Sequence, residues 1–68
     1  MMYVVMHNLY GLNDGDRAYF KRVGDSCFEF TWNKSSASDL TQQECESILK
    51  NQDWYCHQFR ASHMTIEA

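Results

Sequence analysis

The stretch 17-RAYFKRVGDSCFEFTW-32 decides the fold. Two runs rich in aromatic and β-branched residues flank Gly24-Asp25, a dipeptide suited to a tight turn, and Phe28, Phe30 and Trp32 alternate strictly. That period of two marks a strand with one face in a core. The pattern predicts strands over 17–23 and 26–32, joined as a hairpin. Upstream, 2-MYVVMHNLY-10 has the same composition and is followed by Asn13-Asp14-Gly15-Asp16. Asp-Gly is a strong hairpin signal, because a type I′ turn needs positive φ at both central residues. Residues 2–10 are therefore read as the first strand.

Downstream, Thr41-Gln42-Gln43-Glu44 fits a capping box. In that motif the threonine hydroxyl accepts from the backbone N–H three residues on, and the glutamate reaches back. Leu40 and Cys45 occupy the positions of a hydrophobic staple, and Cys45, Ile48 and Leu49 form the apolar stripe of a helix that Asn51 can end. The alternation in 54-WYCHQFR-60 suggests a fourth strand, and the last eight residues carry no clear signal. The expectation is an α+β domain spanning 1–68, β-β-β-α-β, with an antiparallel sheet of three to four strands and one helix on one face.

Register follows from counting, since opposed residues share a face. A turn at 24–25 opposes Val23 to Ser26, Lys21 to Phe28, Tyr19 to Phe30 and Arg17 to Trp32. A turn at 14–15 opposes Leu12 to Arg17, Tyr10 to Tyr19, Asn8 to Lys21 and Met6 to Val23. One face then gathers Val4, Met6, Tyr10, Leu12, Tyr19, Val23, Phe28, Phe30 and Trp32, which the helix would cover. The other gathers Tyr3, Val5, His7, Leu9, Phe20, Arg22, Cys27, Glu29 and Thr31. A solvated face should be mostly polar, and this one is not. Three covers present themselves: the C-terminal segment, a second copy of the chain, or a partner protein. A one-residue bulge would exchange the faces.

Composition bounds the rest. A chain of 68 residues hides only roughly 60% of its unfolded surface, yet 44% apolar content is too high for disorder. Three unpaired cysteines and no basic, apolar leader over Met1–Tyr10 point to a reducing cytoplasm. No run approaches the ~18 apolar residues of a membrane span. The net charge of −3 is uneven: Asp14 and Asp16 lie before a basic stretch with Arg17, Lys21, Arg22 and Lys34, and Asp39, Glu44, Glu46 and Asp53 follow. A nucleic-acid binder usually shows a basic surplus, and a DNA mimic would be far more acidic, so the balance favours a protein partner.

Candidate chemistry is sparse. Cys56, His57 and His63, with Cys27 or Cys45, lack the close paired spacing of structural zinc sites. Cys56 and His57 would point to opposite faces of a strand, the wrong geometry for a nucleophile and its base. The acidic residues around Gly15 lack the spacing of a calcium loop and are explained by the turn. No catalytic residue, cofactor site or metal site is expected. Arg17, Lys21 and Arg22 interleaved with Tyr19 and Phe20 are the one feature like a nucleic-acid platform, in which bases stack on sheet aromatics beside cations.

The hairpin strands, the Phe30-x-Trp32 strand and the Leu40-Thr41-x-x-Glu44 helix start resemble the short α+β accessory proteins of bacteriophages and prophages, among them anti-CRISPR and other host-takeover inhibitors. The resemblance is architectural and covers most of the chain. It implies stoichiometric inhibition, with the protein occupying a surface of a host complex. The residues expected to contact that partner are Tyr3, Phe20 and Arg22 on the second sheet face, Asp14 and Asp16 at the hairpin tip, and Glu44 and Glu46 on the helix. The alternatives are a homodimer through the second face and a single-stranded nucleic-acid binder.

Overall fold

The computed structural model describes residues 1–11 and 15–68. The chain is α+β, with a four-stranded antiparallel sheet: β1 (Tyr3–His7), β2 (Arg17–Gly24), β3 (Cys27–Thr31) and β4 (His63–Glu67). Spatial order is β3-β2-β1-β4. Two helices, α1 (Gln42–Lys50) and α2 (Gln52–Phe59), lie between β3 and β4 in sequence. A single 3-10 turn occupies Lys34–Ser36, and Leu9–Gly11 forms a turn in which Tyr10 sits in the left-handed region at φ 58°.

The two connections of β2 each differ from a minimal hairpin, and both differences flip the same strand. β1 ends at His7, and the longer link to β2 is closed by Asn8 N–H donating to the Asp16 carbonyl at 2.7 Å. Asn8 adopts positive φ (57°), a conformation asparagine tolerates, and its Oδ1 accepts from Gly15 N–H at 2.8 Å. Gly15 itself sits at φ 95°, where a side chain would be strained. Leu12, Asn13 and Asp14, and with them the expected Asp14-Gly15 turn, lie outside the described residues. On the other side of β2, the two-residue turn is Asp25-Ser26, and the register shifts across Val23 as in a β-bulge.

The observed partners are Met6 with Ala18 and Phe20 with Phe30, in place of Met6 with Val23 and Tyr19 with Phe30. Both offsets are odd, so β2 presents the opposite set of side chains while β1 and β3 keep theirs. Phe20 therefore joins Phe28 and Phe30 on the helix-bearing face, and Tyr19 moves to the open one. Phe20 and Leu9 join the core, and Tyr3, Val5 and Tyr19 are the aromatic and apolar residues left on the second face.

The core holds Val4, Met6, Leu9, Ala18, Phe20, Leu40, Cys45, Ile48 and Met64. The capping box at α1 is present: Glu44 N–H donates to Thr41 Oγ1 at 3.1 Å, and Thr41 N–H donates to Glu44 Oε1 at 2.9 Å. Leu40 and Cys45 are both buried, as a staple requires. Asn51 ends α1, but a second helix follows at once. Segment 54–60 is thus helix rather than strand. Tyr55, Cys56 and Phe59 face the core from it, the i, i+1, i+4 set that one helical face presents. It stops at Arg60, whose left-handed φ of 51° lets Ala61 N–H donate to the Cys56 carbonyl at 2.9 Å, a Schellman closure made without glycine. The fourth strand is the C-terminal segment, paired along its length with β1.

Candidate interaction surfaces

Edge-to-face aromatic pairs connect the core to the surface on the helix-bearing side. Tyr55 meets Phe20 at 5.0 Å and Phe59 meets Phe30 at 4.8 Å, which seats α2 across β2 and β3. Each inner pair leads outward to a tryptophan. Trp54 packs on Tyr55 at 5.1 Å and Trp32 on Phe30 at 5.7 Å, yet they remain 59% and 52% exposed. Tryptophan is highly buried on average. Two that are more than half exposed, each packed edge-to-face on a ring that itself packs against the core, are large apolar groups presented at the surface. The sequence reading placed Trp32 in the core by parity and Trp54 in a strand. The polar Asn33-Lys34-Ser35 after Trp32 was the available hint that the strand had run past the sheet.

The residues expected to touch a partner are dispersed. Phe20 is 2% exposed and offers a partner nothing. Tyr3 remains on the open face, half-buried, with Lys34 Nζ 5.5 Å above its ring. Asp16 serves the first connection through its carbonyl. Glu46 is exposed on α1 and accepts from Gln42 Nε2 at 3.2 Å.

Arg22 and Glu44 do meet, with each other: Arg22 Nε donates to Glu44 Oε2 at 2.8 Å and Nη2 to Oε1 at 2.5 Å. Arg22 Nη2 also donates to the Asp39 carbonyl. The pair ties the β2–β3 hairpin to the start of α1, beside an open cleft of about 310 Å³ lined by Ser26, Phe28, Gln43, Glu44 and Ser47. The Arg22 guanidinium first, and then the Thr41 backbone N–H, hold the Glu44 carboxyl down from 4.5 to about 2. A carboxyl depressed in the fold stabilises it above its ordinary range, and that contribution is lost as pH falls through the depressed value. Acid titration of stability should therefore show a loss between about pH 4.5 and pH 2 that Glu44→Gln removes. Urea midpoints across that range check it, and an unchanged acid limb in the variant would contradict the assignment.

The open face is mixed in character. It carries Tyr3, Val5, His7, Arg17, Tyr19, Lys21, Glu29, Thr31, His63, Thr65 and Glu67 by register. Arg17 Nη1 lies 3.7 Å from Glu67 Oε1, and the line joining their strand positions passes over Val5, which is fully buried. His7 and His63, directly opposed, stack at 4.4 Å with planes 5° apart. Burial first, then His63 and Arg17, hold His7 below its ordinary pKa against the opposing pull of Glu67.

Burial pushes the Cys45 and Cys56 thiols up, so both stay protonated and act as small core residues. Among the described residues, no three His, Cys, Asp or Glu side chains gather as metal ligands, and no helix is long and apolar enough to cross a membrane. No protein-family profile matches the chain, and neither does any curated protein or solved structure.

Proposed function

We propose that this chain is a small protein-binding module that acts by occupying a surface of a host protein or complex, without chemistry of its own. The observation that carries the reading is the pair of exposed tryptophans, Trp32 and Trp54, each braced by a core-packed ring. Tryptophan is the residue most enriched among binding hot spots. A ring already fixed by an edge-to-face neighbour loses little freedom on binding, which preserves affinity. Phage or mobile-element inhibitors of host complexes, CRISPR–Cas defence assemblies among them, work in this stoichiometric way, and the host cytoplasm is where such a protein would act.

The test is capture from a bacterial lysate by the wild type, by Trp32→Ala/Trp54→Ala and by Tyr3→Ala/Glu46→Ala. A partner retained by the wild type and the last variant but lost from the tryptophan variant supports the reading. Equal retention by all three overturns it.

A second reading rests on the open face, where the flip of β2 places Arg17, Tyr19 and Lys21 and where Lys34 Nζ lies 5.5 Å above the Tyr3 ring. Cations around an aromatic on a sheet suit single-stranded nucleic acid. Salt-sensitive binding to oligonucleotides, reduced by Lys21→Glu, would favour it over the protein partner.

A further inference from the structure

We infer that β4 is a self-complementary edge through which two copies of this chain join their sheets antiparallel about Thr65. β3 and β4 are the two edges of the sheet, and an edge strand presents unpaired backbone donors and acceptors to any strand that matches it. Antiparallel pairing of 63-HMTIE-67 with its own copy, centred on Thr65, opposes His63 to Glu67 and Met64 to Ile66.

Three features of the single chain fit this arrangement. Ile66 is 45% exposed on the helix-bearing side, where Met64 of a second copy would cover it. Glu67 is poorly satisfied where it lies: its ion pair with Arg17, across β1, is long at 3.7 Å, and its Oε2 is buried with no hydrogen-bond partner among the described residues, so turning to the free edge to meet a second copy's His63 would satisfy it. His63 has Nδ1 engaged by Ser62 Oγ at 2.9 Å, and Nε2 has no bond among the described residues, so it can donate to that carboxylate.

The other edge argues by contrast. Self-pairing of β3, 27-CFEFT-31, about its centre opposes Glu29 to Glu29, and like charges directly opposite destabilise a ladder. One edge of this sheet repels its copy and the other matches it.

The test is light scattering across a dilution series, with circular dichroism to confirm that each variant is folded. The wild type is expected to double its mass as concentration rises. His63→Glu, which sets carboxylates opposite each other twice in the symmetric pair, should weaken association about tenfold or more. Ile66→Lys should weaken it similarly without touching the charged pair. Mixing His63→Glu with Glu67→Lys restores complementary charges in the mixed pair and should recover the dimer.

Thr65 opposes itself across the axis, at a Cα separation of about 4.5–5.5 Å that a disulfide can bridge. In a Cys27→Ser background, Thr65→Cys should cross-link two chains on oxidation, whereas Glu67→Cys should not. A wild type monomeric at all concentrations overturns the inference, as does a dimer indifferent to both His63→Glu and Ile66→Lys or an absence of Thr65→Cys cross-links.

Discussion

Phe20→Ala is expected to leave little folded protein at room temperature. Phe20 is 2% exposed and touches both aromatic layers, meeting Tyr55 at 5.0 Å and Phe28 at 6.3 Å. Truncating a core phenylalanine costs about 3–5 kcal/mol, because transfer energy is lost and the cavity refills only partly. A single-core domain of this size has about 3–5 kcal/mol to lose. The side chain also seats α2, since Tyr55 rests on it. Urea unfolding followed by circular dichroism measures the effect, with Phe20→Leu as the volume-conserving control, expected to remain folded. The neighbouring position supplies the contrast. Lys21 is exposed on the open face, so Lys21→Ala should stay within about 0.5 kcal/mol of wild type. A Phe20→Ala protein as stable as the Lys21→Ala protein would mean that β2 faces the other way.

The alternation of Phe28, Phe30 and Trp32 and the capping box at Thr41 were readable because each is a local signal written in adjacent residues. Period-two hydrophobicity identified β3, and the Thr41–Glu44 reciprocity fixed the start of α1 to the residue. The phase of β2 was another matter. Its own sequence, RAYFKRV, has an apolar or aromatic residue on each face, Phe20 on one and Tyr19 on the other, so only the connections decide which looks inward. Those connections depend on Asn8 accepting a left-handed conformation, on Ser26 doing the same at φ 54°, and on a bulge at Val23. Asparagine is enriched at such a φ, but the serine at 26 and the bulge at Val23 have no distinctive residue signature.

The phase error carried directly into the functional residues. It set Phe20 beside Tyr3 on a surface, while the ion pair of Arg22 with Glu44 spans 22 positions in sequence and needed the phase to be seen. Trp32 was misplaced for a different reason, because β3 ends at Thr31 and the alternation continues one residue past the sheet. The C-terminal third failed for a related reason. WYCHQFR alternates as a strand would, yet also offers Tyr55, Cys56 and Phe59 at helical spacing. The usual glycine stop signal is replaced by Arg60 in the left-handed region.

Ending the chain at Ser62 should abolish the native fold, and this separates the two assignments of the C-terminus. If residues 54–60 were the fourth strand, removal of residues 63–68 would trim a tail and change little. With β4 at 63–67, the same cut removes the whole ladder against β1 and the buried Met64. Loss of one core methionine costs about 2–5 kcal/mol, close to what a domain of this size has in total. The cut also opens a second penalty. β1 runs Val4-Val5-Met6 with all three fully buried, and without β4 it becomes an unprotected apolar edge of the kind that recruits other chains. The expected product is poorly dispersed in a proton–nitrogen correlation spectrum and prone to precipitate. Ile66→Thr, at an exposed position of the same strand, should retain the dispersed spectrum of the wild type. A dispersed spectrum from the shortened chain would return the fourth strand to residues 54–60. It would also remove the edge on which self-association depends, because a dispensable tail cannot align two sheets.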